Sequence, residues 1–334
     1  MADAPRISVL LPAFNAAATI AACLTSISRQ TEPSWECVVV DDGSIDRTAE
    51  IVRCIAARDS RFHVVSIPHS GIVTALNHGL SDCRAPLIAR MDADDVMHRE
   101  RLAAQARMLD EDPSLAAAGC HVRLFPRTAM SPRLREYEAW LNGLRSADDV
   151  ARDAFVECPV AHPSLMVRRE ALGEGYADCG WPEDYDLVLR TLARGLRIGI
   201  VARRLLSWRD GAGRLSRLDP RYSLERFTAC RAHYLAASFV RGDTYVLWGY
   251  GATGRALHRA LAALGRRPSH IVEVKRTRIG QRIHGALVIP VEALDGLRGV
   301  PVVVSVARAG PRAEIREAME RMGFVEGRDF VCAA

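Results

Sequence analysis

The fold is decided at residues 86–95, which read PLIARMDADD. An apolar run this short, stopped by carboxylates, predicts a buried strand, and the end of such a strand is where an open α/β sheet presents ligand groups. Asp92 and Asp94 lie two residues apart, so both carboxylates can converge on one hard divalent cation. The alternative is an acidic turn that caps the next helix, and we expect Asp95 to begin that helix.

Three further strands precede this stretch and alternate with helices. The strands are predicted at residues 7–11, 35–40 and 62–67, and the helices at 16–29, 46–57 and 71–80. This alternation favours an α/β fold with a mostly parallel, doubly wound sheet. Polar residues that follow its strands then meet at one carboxyl edge. The same Asp-x-Asp pattern at Asp110/Asp112 and Asp184/Asp186 lacks this context, so residues 92–94 are the favoured metal site.

Composition narrows the class of protein. A chain of 334 residues is long enough for about two domains. It has no early apolar segment of membrane-spanning length and no signal-peptide profile, so we expect a cytoplasmic protein. Nine cysteines without a Cys-x-x-Cys pair favour free thiols, and a net charge of +5 gives no argument for a nucleic-acid partner. Because Lys275 is the only lysine, a Schiff base or a Walker phosphate loop in the first two-thirds of the chain is excluded.

A series of motifs resembles the family 2 glycosyltransferases, which have the GT-A fold. In chain order the motifs are PAFN at 12–15, DDGS at 41–44, GI at 71–72 with ALN at 75–77, RMDADD at 90–95, HPS at 162–164, EDYD at 183–186, and WR at 208–209 followed by Ser216. Together they cover roughly residues 6–235. The resemblance implies transfer of a hexose from a nucleotide diphosphate sugar to an acceptor hydroxyl, with inversion at the anomeric carbon and a Mg or Mn ion. The acceptor would be a glycan or a lipid-linked molecule in cell envelope polysaccharide biosynthesis.

The resemblance also implies roles for individual residues. Asp41 would contact the nucleotide base, Asp42 the ribose, Asp92 the ribose and the metal, and Asp94 the metal. The resemblance assigns binding of the sugar donor to nine residues: Pro12, Ala13, Phe14, Asn15, Asp41, Asp42, Asn77, Arg90 and Asp92. A divalent cation held by carboxylates would stabilise the charge that develops on the departing nucleoside diphosphate.

The EDYD motif is predicted to begin a helix that continues to about Arg194. The resemblance implies that Asp184 is the general base for the acceptor hydroxyl, with Glu183 as the second choice. Acids also favour helix N-termini without any catalytic role. His162, Trp181 and Arg209 are candidates for contact with acceptor or diphosphate, although a loop-fixing hydrogen bond explains His162 equally well. The loop at 209–216 lacks the histidine that the family often has there. Its two arginines could close over a diphosphate, or the loop could equally be an ordinary mobile turn.

A second domain is predicted at residues 242–334, after a first domain at 1–218 and a helical linker at 219–241. A strand at 244–248 runs into the Gly-x-Gly-x-x-Gly turn of Gly249, Gly251 and Gly254, and Glu273 ends the next strand. This pattern is typical of a small Rossmann-like domain that binds NAD(P) or another nucleotide. The alternative is that the glycines serve packing alone.

Two other functions stay open. A nucleotide-sugar or dinucleotide sensor without catalysis is the main alternative. An NAD(P)-dependent sugar oxidoreductase is less favoured, because Ile271 stands four residues before Lys275 where a Tyr-x-x-x-Lys pair would need tyrosine. The helix at 219–239 carries arginines on its polar side, which suits peripheral contact with an anionic inner membrane face or, as we favour, a solvated position between domains.

Overall fold

Two β-sheets organise the chain, each in its own unit. The computed structural model describes residues 4–211 and 213–334. The first unit comprises Met1–Val150, Val160–Cys179 and Arg194–Leu218, and the second comprises Ala151–Pro159, Gly180–Ala193 and Asp219–Ala334. Within the described residues, no helix combines the length and the apolar character needed to cross a bilayer.

Strands and helices alternate through most of the chain. The strands are β1 (Ile7–Ala13), β2 (Trp35–Asp42), β3 (Phe62–Ile67), β4 (Leu87–Arg90), β5 (Val96–Met97), β6 (Leu115–Phe125), β7 (Met166–Arg168), β8 (Arg197–Arg209), β9 (Thr244–Trp248), β10 (Arg267–Val272), β11 (Arg282–Ile283), β12 (Ala286–Ile289), β13 (Val302–Val304) and β14 (Phe330–Cys332). The helices are α1 (Ile20–Ser28), α2 (Thr48–Ala56), α3 (Ile72–Asp82), α4 (Arg101–Glu111), α5 (Pro132–Leu141), α6 (Ala147–Asp153), α7 (Arg169–Leu172), α8 (Glu183–Ala193), α9 (Leu215–Leu218), α10 (Leu224–Ser238), α11 (Ala252–Ala263) and α12 (Ala309–Arg321). Short 3₁₀ helices lie at Arg127–Ala129, His162–Ser164, Pro220–Tyr222, Arg276–Arg278 and Val291–Leu297.

The first sheet has the strand order β3-β2-β1-β4-β7-β6-β8-β5. Strands β1 to β4 pair in parallel, whereas β7 runs antiparallel to β4 and β6. Every residue of β1, β2 and β4 is buried, as expected for parallel strands covered on both faces. The predicted α/β fold with a mostly parallel, doubly wound sheet is confirmed, and β2, β1 and β4 bring their carboxyl ends side by side.

The prediction that Asp95 begins a helix is wrong. Asp95 is followed by the two-residue strand β5, and the next helix begins only at Arg101. Val96 of β5 pairs with Ser207 of β8 in antiparallel register. This pairing with a strand more than a hundred residues away outweighs the local preference of acids for a helix N-terminus.

The second sheet has the strand order β11-β12-β10-β9-β13-β14, and its strands are parallel apart from β11. Numbered within the unit, the parallel strands follow the order 3-2-1-4-5 of a Rossmann-type sheet. The predicted second α/β domain is thus present. Helix α10, part of the predicted linker, places Ala232 and Leu235 in the same buried cluster as Tyr245 and Leu247 of β9. The predicted domain boundaries stay a prediction, and this packing favours counting α10 with the second unit.

Candidate active site

Three carboxylates lie together after β4. Oxygens of Asp92, Asp94 and Asp95 are within 4.8 Å of one another. Asp95 is fully buried; its Oδ1 accepts a hydrogen bond from the Arg209 backbone N–H at 2.7 Å, and its Oδ2 has no hydrogen-bond partner among the described residues. Burial and then the charge of Asp92 raise the pKa of Asp94, and burial and the charges of Asp92 and Asp94 raise that of Asp95. Clustered carboxylate oxygens with an unsatisfied buried atom fit a hard divalent cation.

Asp95 was not assigned to the metal site from the sequence. The available signal was a third acid directly before two apolar residues, Val96 and Met97, which places a carboxylate at the start of a buried segment. Asp95 therefore joins Asp92 and Asp94 as a candidate ligand.

Arginine side chains border the acid cluster. Arg90 is buried, and its Nη2 lies 2.7 Å from Oδ1 of Asp92. Arg209 donates from Nε to the backbone oxygen of Asp94 at 2.8 Å. Arg214 lies over the Trp208 ring at 4.4 Å and, with Arg209, partly offsets the rise in the pKa of Asp94. Arg90 thus forms an ion pair with Asp92, while the surroundings of Asp94 and Asp95 disfavour a negative charge on them unless a cation is bound. Ala212, in the same predicted loop, lies outside the described residues.

The ends of β1 and β2 form a second part of the site. Pro12 and Ala13 are buried within β1, whereas the side chains of Phe14 and Asn15 are exposed. In the predicted base pocket, only Phe14 and Asn15 of these four residues therefore offer an exposed side chain. The Phe14 ring stacks on His69 with centroids 4.1 Å apart. His69, which was not predicted, places Nδ1 2.9 Å from Oδ2 of Asp42.

The two acidic side chains at the end of β2 accept hydrogen bonds from nearby backbone N–H groups. Asp42 accepts from the backbone N–H groups of Ser70 at 2.8 Å and Gly71 at 3.0 Å, so it holds the turn that leads into α3. Asp41 is buried and accepts from the Ser44 N–H at 3.3 Å. Both carboxylates therefore fix loops at the carboxyl edge of the sheet.

Asn77 and His162 meet at Tyr176. The Asn77 amide donates to the Tyr176 carbonyl at 2.8 Å and accepts from the Tyr176 N–H at 2.9 Å. Nε2 of His162 lies 3.1 Å from the Tyr176 hydroxyl. Burial and then the charge of Arg90 lower the pKa of His162 well below its usual value, so His162 is neutral at pH 7. Asn77 holds a loop backbone, and His162 contributes hydrogen bonding rather than charge.

The two predicted catalytic acids open α8, which belongs to the second unit. Both carboxylate oxygens of Glu183 accept from the Tyr222 hydroxyl, at 2.8 and 2.7 Å. Asp184 is partly exposed, and its Oδ1 accepts from the Tyr185 N–H at 2.7 Å. Trp181 donates from Nε1 to Asp186 at 3.0 Å, which fixes the start of the helix. Glu183 is thus committed to Tyr222, and Asp184 is the more accessible carboxylate.

The predicted nucleotide residues of the second unit also come together. Gly249, Gly251 and Glu273 line one groove, and Gly254 lies beneath it in the first turn of α11. Among them, only Glu273 offers a charged side chain.

Comparison with known proteins identifies relatives of this chain. The sequence model of "Glycosyl transferase family 2" matches residues 8–175, half of the chain. The putative glycosyltransferase EpsE of Bacillus subtilis is 27% identical over 244 residues, which cover 69% of this chain and 84% of EpsE. The succinoglycan biosynthesis protein ExoU of Rhizobium meliloti is 32% identical over 212 residues, 58% of this chain and 59% of ExoU. The putative teichuronic acid biosynthesis glycosyltransferase TuaG of Bacillus subtilis is 27% identical over 51% of this chain and 65% of TuaG.

Solved structures share the fold. TarS of S. aureus in complex with UDP-GlcNAc superposes with a TM-score of 0.57 at 17% identity, over 77% of this chain and 71% of TarS. The mannosyltransferase PcManGT of Pyrobaculum calidifontis, in complex with GDP-Man and Mn²⁺, gives a TM-score of 0.50 at 21% identity, over 79% of this chain and 70% of PcManGT. At these identities the likeness establishes the GT-A type fold alone.

Proposed function

The chain belongs to glycosyl transferase family 2, and from this premise we propose that it transfers a sugar from a nucleoside diphosphate sugar to an acceptor hydroxyl, with inversion and with a divalent cation. The cluster of Asp92, Asp94 and Asp95 carries the proposal. Mg²⁺ or Mn²⁺ bound there would neutralise charge that develops on the departing nucleoside diphosphate. The Mn²⁺ and GDP-Man bound to PcManGT support this assignment.

We assign the donor nucleotide to the edge formed by β1, β2 and β4. The stacked, exposed rings of Phe14 and His69 offer an apolar face to a base. Asn15 and Asp41 supply polar groups beside that face, and Asp42 keeps the neighbouring turn in place. Arg90 orients Asp92 through their ion pair. Pro12, Ala13 and Asn77 act through the backbone that they shape rather than through a side chain offered to the donor.

Asp184 is our proposed general base. Its carboxylate would accept the proton of the acceptor hydroxyl as that oxygen attacks the anomeric carbon, a role that typically contributes about 10²–10⁴-fold in rate. Glu183 is a weaker candidate because Tyr222 occupies both of its oxygens. Burial and the charge of Glu183 raise the pKa of Tyr222, so Tyr222 remains a protonated donor to this carboxylate.

The names of two relatives support a proposed class of acceptor. TuaG and ExoU are named for teichuronic acid and succinoglycan biosynthesis, so we propose a growing glycan or its lipid-linked form as acceptor. Trp181, His162 and Arg209 remain our candidates for acceptor or diphosphate contact. We place the reaction in the cytoplasm, at the membrane surface where the acceptor is lipid-linked.

The test compares two Asp-x-Asp patterns. Transfer is assayed with a panel of nucleotide sugars in Mg²⁺, Mn²⁺ or EDTA. Asp94→Ala should reduce transfer by at least about 100-fold because it removes transition-state charge stabilisation. Asp112→Ala should leave transfer unchanged, since the Asp112 side chain, 44% exposed, follows α4 and contacts Ser114 and Arg197. Metal-dependent transfer retained by a folded Asp94→Ala chain would overturn the proposal. If the chain binds a donor without any turnover, that result would instead support a sensor. A sugar-dependent change in NAD(P)H absorbance would support an oxidoreductase.

A further inference from the structure

A groove of about 400 Å³ lies in the second unit at the carboxyl edge of its parallel sheet. It is lined by the segments that follow β9, β10 and β13. Strand β9, the first of this sheet, lies between β10 and β13, so the strand order reverses beside it. The crevice at such a reversal is where open parallel α/β sheets bind ligands.

The three glycines of the β9–α11 turn serve different purposes. Gly249 has a φ of +92°, and a Cβ there would lie 2.7 Å from Cγ2 of Val306. A Cβ on Gly254 would lie 2.2 Å from the carbonyl oxygen of Gly249. A Cβ on Gly251 would have no atom of the described residues within 4 Å, and the φ of −77° at Gly251 suits any residue. Backbone conformation and packing account for Gly249 and Gly254, whereas the missing side chain of Gly251 leaves the groove open to a ligand.

The groove has the charge of a diphosphate site. Among the described side chains, its lining contains three cations, Arg255, Lys275 and Arg278, and one anion, Glu273, so these four carry a formal net charge of +2. A diphosphate diester carries about two negative charges, and the first turn of α11 adds backbone N–H groups that favour an anion. Glu273 lies only 3.3 Å from Nη1 of Arg278 and accepts from the Val274 N–H at 3.0 Å, so its carboxylate is held at the rim.

We propose that this groove binds a nucleotide through its diphosphate and ribose, as a second nucleotide site besides the donor site of glycosyl transfer. The turn from Gly249 to Thr253 holds the diphosphate. Glu273 accepts a hydrogen bond from a ribose hydroxyl, and Arg278 and Lys275 provide positive charge beside that ribose. Ser305 keeps the turn rigid by donating to the Gly249 carbonyl at 2.7 Å. The proposal concerns binding and does not depend on glycosyl transfer.

The test uses the full chain in EDTA with NAD⁺, NADP⁺, ADP-ribose, UDP-glucose and inorganic diphosphate as probes, and binding is measured by calorimetry and thermal shift. Gly251→Val should weaken binding at least tenfold while the free protein stays folded, because its Cβ enters the groove at a point with no described atom within 4 Å. Gly242→Val is the matched control, since its Cβ also enters open space but lies outside the groove. Asp94→Ala should bind the same probe with unchanged affinity.

Each of the following results either supports or overturns the proposed nucleotide site. Binding that Gly251→Val abolishes and Gly242→Val retains supports it, and a preference for NADP⁺ over NAD⁺ would assign Arg278 and Lys275 to the 2′-phosphate. Glu273→Gln should weaken NAD⁺ and ADP-ribose more than tenfold relative to inorganic diphosphate. The proposal is overturned if no probe binds with a Kd of about 1 mM or tighter, a binding free energy of about −4 kcal/mol. It is also overturned if Gly251→Val binds the probes normally, or if Asp94→Ala removes the binding.

Discussion

Asp95 has an environment that a bound cation would complete. It is fully buried, one oxygen receives the Arg209 N–H, and the other has no partner within the described chain. An unsatisfied buried polar atom costs about 1–3 kcal/mol, and an uncompensated charge costs more. The acids of the cluster therefore oppose folding in the metal-free protein and are stabilised when a divalent ion is bound.

We predict that Asp95→Asn lowers Mn²⁺ affinity by at least about 10-fold, because the loss of a charged ligand should cost no less than the loss of a residue that only orients the ligands, which typically costs about 10–100-fold. Asparagine keeps an oxygen for the Arg209 N–H and removes the charge. Because like-charge repulsion is relieved, the Tm of the metal-free variant should equal or exceed that of the parent. A Mn²⁺ titration followed by thermal shift measures both quantities, with Asp112→Asn as the exposed control. An unchanged titration would show that Asp95 does not take part in metal binding.

His162 should make stability depend on pH. Its folded pKa is lowered by burial and by Arg90, so between that value and the unfolded value of about 6.5 the unfolded chain binds more protons. Stability is therefore complete above about pH 6.5 and falls as the solution becomes more acidic, by up to about 1.4 kcal/mol per pH unit. Urea unfolding between pH 5 and pH 8 should show a steeper loss for the parent than for His162→Gln. Equal slopes would contradict this account.

Helix α3 lies very close to the first sheet. A Cβ on Gly79 would be 2.4 Å from Cδ1 of Leu10 and 2.7 Å from Cγ2 of Val40. We predict that Gly79→Ala lowers the Tm, because overpacking costs about 1–3 kcal/mol and outweighs the gain in helix propensity of about 1 kcal/mol. Gly310→Ala in α12 is the matched control: its Cβ would have no described atom within 4 Å, so only the propensity gain remains and the Tm should rise or stay level. Thermal melts of both variants test the sign of each change.

The sequence predicts a strand or helix well where a local pattern of apolar and polar residues specifies it. Strands β1, β2 and β4 are apolar runs that end in polar residues, and that pattern led to Asp92 and Asp94. Strand β5 was missed because two residues have no periodicity and its partner β8 is distant in sequence. For the same reason the contacts of Asp95, His69, Tyr176 and Tyr222 were not foreseen: each depends on pairings that only the folded chain creates.

Across the whole chain, the second unit draws on sequence from three separate segments. Helix α10, in the third segment, makes hydrogen bonds to the other two: Tyr234 donates to Asp186 of α8 at 2.8 Å, and Arg231 donates to the Val156 carbonyl at 2.9 Å. The Tyr222 hydroxyl, just before α10, holds Glu183 at the start of α8. The helix that carries the proposed base is therefore supported by residues beyond the predicted boundary at 218.

We predict that a chain truncated after Leu218 loses transfer while it keeps metal binding. The carboxylates of Asp92, Asp94 and Asp95 all belong to the first unit, so the Mn²⁺-dependent thermal shift should persist. Buried Tyr185 and Asp186 lose their partners on α10, which leaves α8 and Asp184 without a fixed position. Its loss of transfer should match that of full-length Asp184→Asn, within the 10²–10⁴-fold range of a general base. A truncated chain that responds to Mn²⁺ and still transfers sugar at the parental rate would show that the base lies elsewhere, on the first unit.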